Sequence, residues 1–177
     1  MKTYQELVEG LNDPNIFKAF FLAGGPGSGK SFVVGKTTGG SGLKIVNSDD
    51  VFEKYLKDAG FEMDMTTAKA ELQQEPRDKL RDRAKVVTKM KRDNYVDGRL
   101  GLVIDGTGAK YDKIVRQSIE LKQLGYDTHM IYVNTPLDVA LDRNSKRERR
   151  VHTSIATTSW KNVQANLGKF SQHFRQN

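Results

Sequence analysis

Residues 24–31 read Gly-Gly-Pro-Gly-Ser-Gly-Lys-Ser, and this stretch fits the pattern G-x-x-x-x-G-K-[ST] at every constrained position. Its glycines let the backbone curl so that successive N–H groups point inward, in conformations that a Cβ would obstruct. Residues 17–23 before it are apolar and predict a β-strand, and residues 30–36 after it predict a helix. In that context the motif predicts a loop that binds the phosphates of a nucleoside triphosphate.

The side chains that end this loop have separate predicted tasks. We expect Lys30 to reach the β- and γ-phosphates as a point charge, and Ser31 to offer its hydroxyl to Mg²⁺. The backbone supplies the rest of the cradle. The loop residues predicted to hold the triphosphate are Gly25, Pro26, Gly27, Ser28, Gly29, Lys30 and Ser31.

Strand-like and helix-like segments alternate along the chain outward from the loop. Strands are predicted at residues 17–23, 43–46, 100–104 and 128–133. Helices are predicted at residues 4–11, 30–36, 77–95, 111–124 and 154–170, with two more that end at residue 59 and start at residue 136. Residues 62–76 are expected to be a loop or a broken helix. This alternation predicts an α/β fold of one domain over residues 1–177, with a parallel sheet in three layers and a helical lead-in at residues 1–17.

Two local patterns make sharper predictions. Thr135, followed by proline, is expected to cap the helix that starts at residue 136. Leu80, Ala84, Val87 and Met90 are expected to form the buried stripe of the helix at residues 77–95.

The composition is typical of a soluble globular protein. Of 177 residues, 37% are hydrophobic and 29% are charged, which excludes collagen, a coiled coil and wholesale disorder. Cysteine is absent, which excludes disulfides, Cys-ligated zinc and thiol catalysis. The start lacks the apolar region of a signal peptide, and no run approaches the roughly 20 apolar residues of a membrane span. We therefore expect a cytoplasmic protein with no membrane partner.

Positive charge is concentrated in one segment. Lysine and arginine number 29 against 22 aspartates and glutamates, a formal net charge of +7. Residues 143–150 hold five bases and one acid, so this octet alone contributes +4. On a helix, Arg143 and Arg147 are i,i+4 neighbours that can reach one ligand. This density favours a lid that closes over a transferred phosphoryl group, and the alternative is a solvated basic face.

Polar side chains follow the second and third predicted strands. Residues 47–50 read Asn-Ser-Asp-Asp, and Asp105 ends the third strand. Ligands bind at the carboxyl ends of the strands in a doubly wound sheet. Asp50 has the spacing of a capping box with Glu53, which leaves Asp49 to face the cleft as a candidate general base. The alternative is that these residues only cap the next helix.

Other motifs separate the classes of phosphate-binding protein. A GTPase carries Asn-Lys-x-Asp after a late strand, whereas residues 133–136 read Val-Asn-Thr-Pro. A hydrolytic motor usually has a glutamate beside the acid that ends its magnesium strand, whereas Gly106 follows Asp105. Both differences favour transfer of phosphate to a bound acceptor. An alternative of another class is a nucleotide-gated switch that hydrolyses ATP and transfers nothing.

The chain resembles the kinase domain of phage-type polynucleotide 5′-kinase and, more distantly, the zeta-toxin kinases, over about residues 18–165. The segments that carry the resemblance are residues 24–31, 47–50, 103–107 and 143–147. The resemblance implies a P-loop fold like that of adenylate kinase, with a helical lid at about residues 143–153. It also implies ATP as the nucleotide, Mg²⁺ as the metal and, if the chain is phage-encoded, a place in the host cytoplasm.

The resemblance also implies roles for single residues. Asp49 is expected to be the general base. Lys30 and Arg147 are expected to serve the ATP phosphates, and Arg143 to help hold the nucleotide. Asp105 is expected to support the active site and to bind the metal together with the Ser31 hydroxyl.

The acceptor stays open at this point. The polynucleotide kinases carry an arginine three residues after the catalytic aspartate to hold the substrate's phosphate, and Phe52 stands there in this chain. A nucleic-acid hydroxyl (a 5′-hydroxyl or a hydroxymethylated base) is the preferred acceptor, followed by a nucleoside, a nucleotide sugar or another metabolite. The basic helix at residues 77–92 is either a track for nucleic acid or an ordinary solvated face. The oligomeric state is unknown from the sequence.

Overall fold

The structure is a computed structural model, and it describes residues 17–38 and 41–175. The helix predicted at residues 4–11 falls outside the described residues. Within the described ranges, no helix is long and apolar enough to cross a membrane. The prediction of one domain over residues 1–177 stays a prediction.

Four strands and seven helices lie in the described part of the chain. In chain order they are β1 (Phe17–Ala23), α1 (Lys30–Thr38), β2 (Lys44–Val46), α2 (Ser48–Asp58), α3 (Ala68–Leu72), α4 (Gln74–Asp97), β3 (Leu102–Ile104), α5 (Tyr111–Gln123), β4 (Tyr126–Tyr132), α6 (Leu137–Ser145) and α7 (Thr153–Phe174). The strand before the glycine-rich loop has its predicted bounds. The segment at residues 62–76 is a broken helix, because it contains α3 and the start of α4.

All strand pairs are parallel, in the order β2-β3-β1-β4. Val46 of β2 and Phe21 of β1 both align with Ile104 of β3. At the other side of β1, Ala23 aligns with Tyr132 of β4. The carboxyl ends of the strands therefore lie along one edge of the sheet, where the loops after β1, β2 and β3 meet.

Alternate residues of β1 pack against different helices. Ala19 and Phe21 share a buried core with Phe170 of α7. Leu22 instead packs with Val34 of α1. Because successive side chains of a strand point to opposite faces, helices cover both faces of this sheet. The predicted α/β fold with a parallel sheet in three layers is confirmed.

The long helix α4 buries a different face from the one that its sequence predicts. Ala84 is fully buried, but Met90 is 61% exposed. Thr88 and Arg92 are buried instead, and Arg92 pairs with Glu120 of α5 at 2.7 Å. The predicted stripe is therefore wrong at Met90, and the helix instead buries Thr88 and Arg92 before Tyr95 and Val96 pack against the apolar core.

Candidate active site

The phosphate-binding loop, residues 24–31, is wedged against α6. Gly27 and Gly29 have φ angles of 78° and 92°, in the left-handed region that side chains disfavour. A Cβ at Gly27 would also overlap the carbonyl oxygen of Ala140 in α6. Glycine is therefore required at position 27, although the motif leaves that position free.

Thr135 stabilises this loop through a hydrogen bond to its backbone. Its buried hydroxyl donates a hydrogen bond to the Ser28 carbonyl at 2.9 Å. The prediction that Thr135 caps α6 is wrong, because Pro136 is the N-cap and no side chain caps the helix. Trp160 of α7 packs against Gly25 and donates its indole N–H to the Thr135 carbonyl at 2.8 Å. The loop is thus fixed by its surroundings.

The Lys30 ammonium is folded back onto the loop. It donates to the carbonyl oxygens of Gly24 at 2.7 Å and Gly25 at 3.2 Å. Burial lowers the pKa of Lys30, while the carboxylates of Asp105 and Asp49 oppose that change. Phosphate oxygens of a bound nucleotide would replace the two carbonyls as partners of this ammonium.

Asn47 organises the acidic groups that follow β2 and β3. Its side-chain oxygen accepts the N–H of Asp49 at 2.8 Å and makes Asn47 the N-cap of α2. Its side-chain nitrogen donates to Asp50 at 2.8 Å and to Asp105 at 3.2 Å. The prediction that Asp50 caps this helix is wrong, since α2 begins at Ser48 and the asparagine takes the cap. Burial raises the pKa of both Asp50 and Asp105.

The Asp49 carboxylate lies between two arginines from distant parts of the chain. One of its oxygens pairs with Arg81 of α4, and the other lies 3.5 Å from the guanidinium of Arg149. Burial raises the pKa of Asp49, but Arg149 and Arg81 outweigh burial and hold this pKa below its usual value. Arg81 also stacks on Phe52, with its guanidinium carbon 4.9 Å from the ring centroid. Asp49 is therefore ionised and paired with cations.

The basic segment at residues 143–150 is only partly helical. Helix α6 ends at Ser145, so Arg147 lies beyond it, and the prediction that Arg143 and Arg147 share one helical face is wrong. The chain turns back because the Asn144 side chain binds the Val151 backbone: it donates to the carbonyl at 2.8 Å and accepts from the N–H at 3.4 Å.

This segment docks against α2 through ion pairs, and Glu53 takes part in two of them. Arg149, largely buried, donates to Glu53 at 2.6 Å, and Arg147 lies 3.9 Å from the same side chain. Arg143 lies beside the phosphate-binding loop, with Nη1 3.4 Å from the position that a Cβ on Gly29 would take. The arginines are thus distributed around the site rather than stacked on one turn.

Four of the predicted site residues line one cavity of about 620 Å³. The predicted residues that line it are Lys30, Asp49, Asp105 and Arg147. The predicted residues 25–29, Ser31 and Arg143 are not among its lining residues. Arg81 and Arg149 do line it and were not predicted. The only sequence signal for Arg149 was its place among the bases of residues 143–150. No local sequence pattern pairs Arg81 with Asp49, which lies 32 positions earlier.

The side chains near the loop fit a nucleotide with its metal. Ser31 and Asp105 offer oxygen ligands, and Mg²⁺ usually takes one or two protein ligands together with phosphate oxygens. The described residues contain no group of three or more His, Cys, Asp or Glu side chains that would hold a metal without phosphates. The Ser28 hydroxyl is buried without a hydrogen-bond partner among the described residues, and a phosphate oxygen would supply one.

Solved structures with this fold include three whose likeness to this chain is measured by TM-score, sequence identity and the share of each chain covered. A candidate kinase from Chloroflexus aurantiacus aligns with a TM-score of 0.57 and 14% identity over 75% of this chain and 68% of that chain. A chain of the Pnkp1/Rnl/Hen1 RNA repair complex aligns with a TM-score of 0.62 and 18% identity over 90% of this chain and 48% of that chain. A chain of the PezAT chromosomal toxin-antitoxin system of Streptococcus pneumoniae aligns with a TM-score of 0.54 and 18% identity over 80% of this chain and 56% of that chain. This chain thus spans about half of the last two proteins.

A family model establishes the membership of the chain. No curated protein matches the sequence at a significant level. The model of the AAA_33 family, described as an AAA domain, matches residues 20–170, which is most of the chain. The chain therefore belongs to the AAA_33 family and has the fold of the P-loop kinases that its sequence resembles.

Proposed function

We propose that the protein is an ATP- and Mg²⁺-dependent kinase that transfers the γ-phosphate to a hydroxyl group of a nucleic acid. The observation that carries this proposal is that Lys30, Asp49 and Arg147 line one cavity. Phosphoryl transfer depends mainly on positioning and on stabilisation of charge. A phosphate-binding ammonium, an ionised carboxylate and a further cation supply both.

The proposed transfer assigns one task to each group. The acceptor oxygen bonds to the γ-phosphorus and gives its proton to Asp49, while the bond from that phosphorus to the β,γ-bridging oxygen breaks and ADP leaves. Lys30 and Arg147 offset the charge on the transferred group. Mg²⁺, held by Ser31 and Asp105, would stabilise charge on the phosphate oxygens.

The remaining loop residues hold the nucleotide. Backbone N–H groups of residues 27 and 29–31 would surround the phosphates, and Arg143, beside Gly29, adds a cation. Residues 146–152 connect α6 to α7 and act as the lid, because Arg147 and Arg149 in this segment already reach the carboxylates of α2.

Arg81 replaces the arginine that the polynucleotide kinases carry at the position of Phe52. It stacks on that phenylalanine and pairs with Asp49, the proposed base. We propose that the acceptor's phosphate draws Arg81 away, which frees Asp49 to accept the hydroxyl proton. Arginine suits this task because its planar guanidinium binds phosphate in a bidentate manner.

Two observations favour a nucleic acid as the acceptor. Cationic side chains of α4 and α5, including Arg81 and Lys113, line the cavity beside Asp49. One structural neighbour belongs to a complex named for RNA repair. ATP and nucleic acids are both cytoplasmic, and we propose that the protein acts there.

Labelled ATP tests this function directly. The protein is incubated with γ-labelled ATP, Mg²⁺ and, in parallel, oligonucleotides with a 5′-hydroxyl, DNA with hydroxymethylated bases, nucleosides and nucleotide sugars. We expect label in a nucleic acid. Label found only in a small molecule would contradict a nucleic-acid acceptor. Label found only in inorganic phosphate would contradict a kinase and favour a hydrolytic switch.

An Arg81→Gln variant should show two changes. Loss of a charged contact to the acceptor's phosphate should raise the acceptor KM roughly 10-fold or more, since such a bond contributes about 1.5–3 kcal/mol. Loss of the cation beside Asp49 should raise the pKa of this carboxyl. Because the base must be ionised and Arg81 neighbours it in the enzyme without acceptor, the acid limb of kcat/KM should move to higher pH, and it is measured as a rate profile from pH 4 to 8.

The matched control is Arg83→Gln on the same helix. Arg83 stacks on Tyr55, with its guanidinium carbon 5.1 Å from the ring centroid, and it does not line the cavity. This control should keep both the KM and the pH profile of the wild type. An Arg81→Gln profile identical to that of the control would remove Arg81 from the acceptor site.

A further inference from the structure

Four cations of α4 pair with carboxylates of α4 and α5. These ion pairs are Lys79–Glu75 and Lys85–Asp82, both at 2.7 Å, Lys89–Asp93 at 2.8 Å and Arg92–Glu120 at 2.7 Å. Arg81 instead reaches into the candidate active site. These pairs reduce the charge that α4 offers to a polyanion.

A second concavity of about 410 Å³ adjoins the candidate active site at the start of α5, and its charged lining is four bases and one acid, Asp112. We call these bases the basic strip: Lys110, Lys113, Arg116 and Lys169. None of the four has a carboxylate partner among the described residues. Lys169 lies over the Tyr111 ring at 5.7 Å, and the Arg116 side chain touches only the Asp112 backbone carbonyl, at 3.4 Å. This charge is available to a ligand.

The backbone that begins the basic strip is held in place. Asn166 of α7 is 8% exposed, and its side-chain nitrogen donates to the carbonyls of Gly108 at 3.0 Å and Ala109 at 3.2 Å. These contacts tie the loop between β3 and α5 to α7. Lys110 and Lys113 line both cavities, so the basic strip extends from the cavity of Asp49 to Lys169.

We propose that the basic strip binds the phosphodiester backbone of a single nucleic-acid strand whose target hydroxyl enters the cavity of Asp49. Four unpaired cations on two helices exceed what one phosphate needs, whereas successive phosphates of a strand can engage them in turn. A single strand can follow the surface from one concavity into the next. The site of the hydroxyl rests on the proposed function, but the binding of the strand does not.

Salt dependence of binding tests the basic strip. The full chain without ATP is titrated with a fluorescent oligothymidylate at several salt concentrations. For a single strand, each phosphate that the protein neutralises contributes about −0.7 to the slope of the log binding constant against log salt concentration. Four contacts therefore predict a slope near about −3. The double variant Lys110→Ala, Lys169→Ala should flatten the slope by about 1.4.

The matched control is the double variant Lys54→Ala, Lys79→Ala. It removes the same charge from two lysines that are paired with Asp58 and Glu75 and lie outside both cavities. It should keep the wild-type slope. Equal slopes for the strip variant and the wild type would overturn the proposal, as would a wild type that does not bind the strand.

These outcomes are distinct from failure of the proposed function. A flattened slope in the strip variant supports the basic strip even if no hydroxyl accepts label from ATP. Transfer of label to nucleosides, with oligothymidylate binding that salt does not weaken, overturns the basic strip and leaves the kinase in place.

Discussion

An Asp49→Asn variant should transfer phosphate roughly 10²–10⁴-fold more slowly than the wild type, the usual loss when a general base is removed. The amide keeps the shape of the side chain but cannot take the acceptor's proton. The carboxylate lies outside the phosphate-binding loop, so the affinity for ATP should change little. Single-turnover transfer and nucleotide titration measure the two effects separately.

An Asp58→Asn variant is the control for this substitution. Asp58 lies on the same helix, α2, and pairs with Lys54 at 2.8 Å outside the cavity. The control should transfer phosphate at the wild-type rate. A wild-type rate in Asp49→Asn itself would remove Asp49 from the chemistry, whatever the control does.

A Gly27→Ala variant should lose nucleotide binding and a large part of its stability. The φ of 78° at Gly27 costs a side chain about 1–2 kcal/mol, and the overlap of its Cβ with the Ala140 carbonyl adds roughly 1–3 kcal/mol. A typical domain is stable by only about 5–15 kcal/mol. Denaturant unfolding and ATP titration measure the two losses.

Gly35→Ala is the matched substitution for Gly27→Ala. Gly35 lies within α1, and a Cβ there would meet no atom within 4 Å. Alanine should therefore stabilise the protein by roughly 0.5–1 kcal/mol, because glycine is the poorer helix former. If Gly27→Ala unfolds at the same denaturant concentration as the wild type, α6 does not pack against the loop as the structure has it.

The sequence predicts most of the fold because the informative signals are local. An apolar run, a glycine-rich loop and a helix follow one another at residues 17–38, and the parallel strands then bring residues 47–50 and Asp105 to the same edge of the sheet. Lys30 and Asp49 meet in one cavity for that reason.

The rest of the site depends on contacts that no local pattern encodes. Arg81 reaches Asp49 from a helix on which several other cations pair with neighbouring aspartates, so its charge pattern alone resembles a solvated face. The cap of α2 is Asn47, because an asparagine one residue before the helix competes successfully with the later Asp50. The roles of the predicted site residues remain predictions that the variants above test.

A crystal structure with Mg²⁺, a non-hydrolysable ATP analogue and a 5′-hydroxyl oligonucleotide tests most directly whether Asp49 is the general base. We expect Lys30 to leave the carbonyls of Gly24 and Gly25 for the phosphates. We expect Asp49 to leave Arg81 and to lie within about 2.6–3.2 Å of the acceptor oxygen. An Asp49 carboxylate still paired with Arg81 and directed away from the γ-phosphorus in that closed complex would contradict the proposed chemistry.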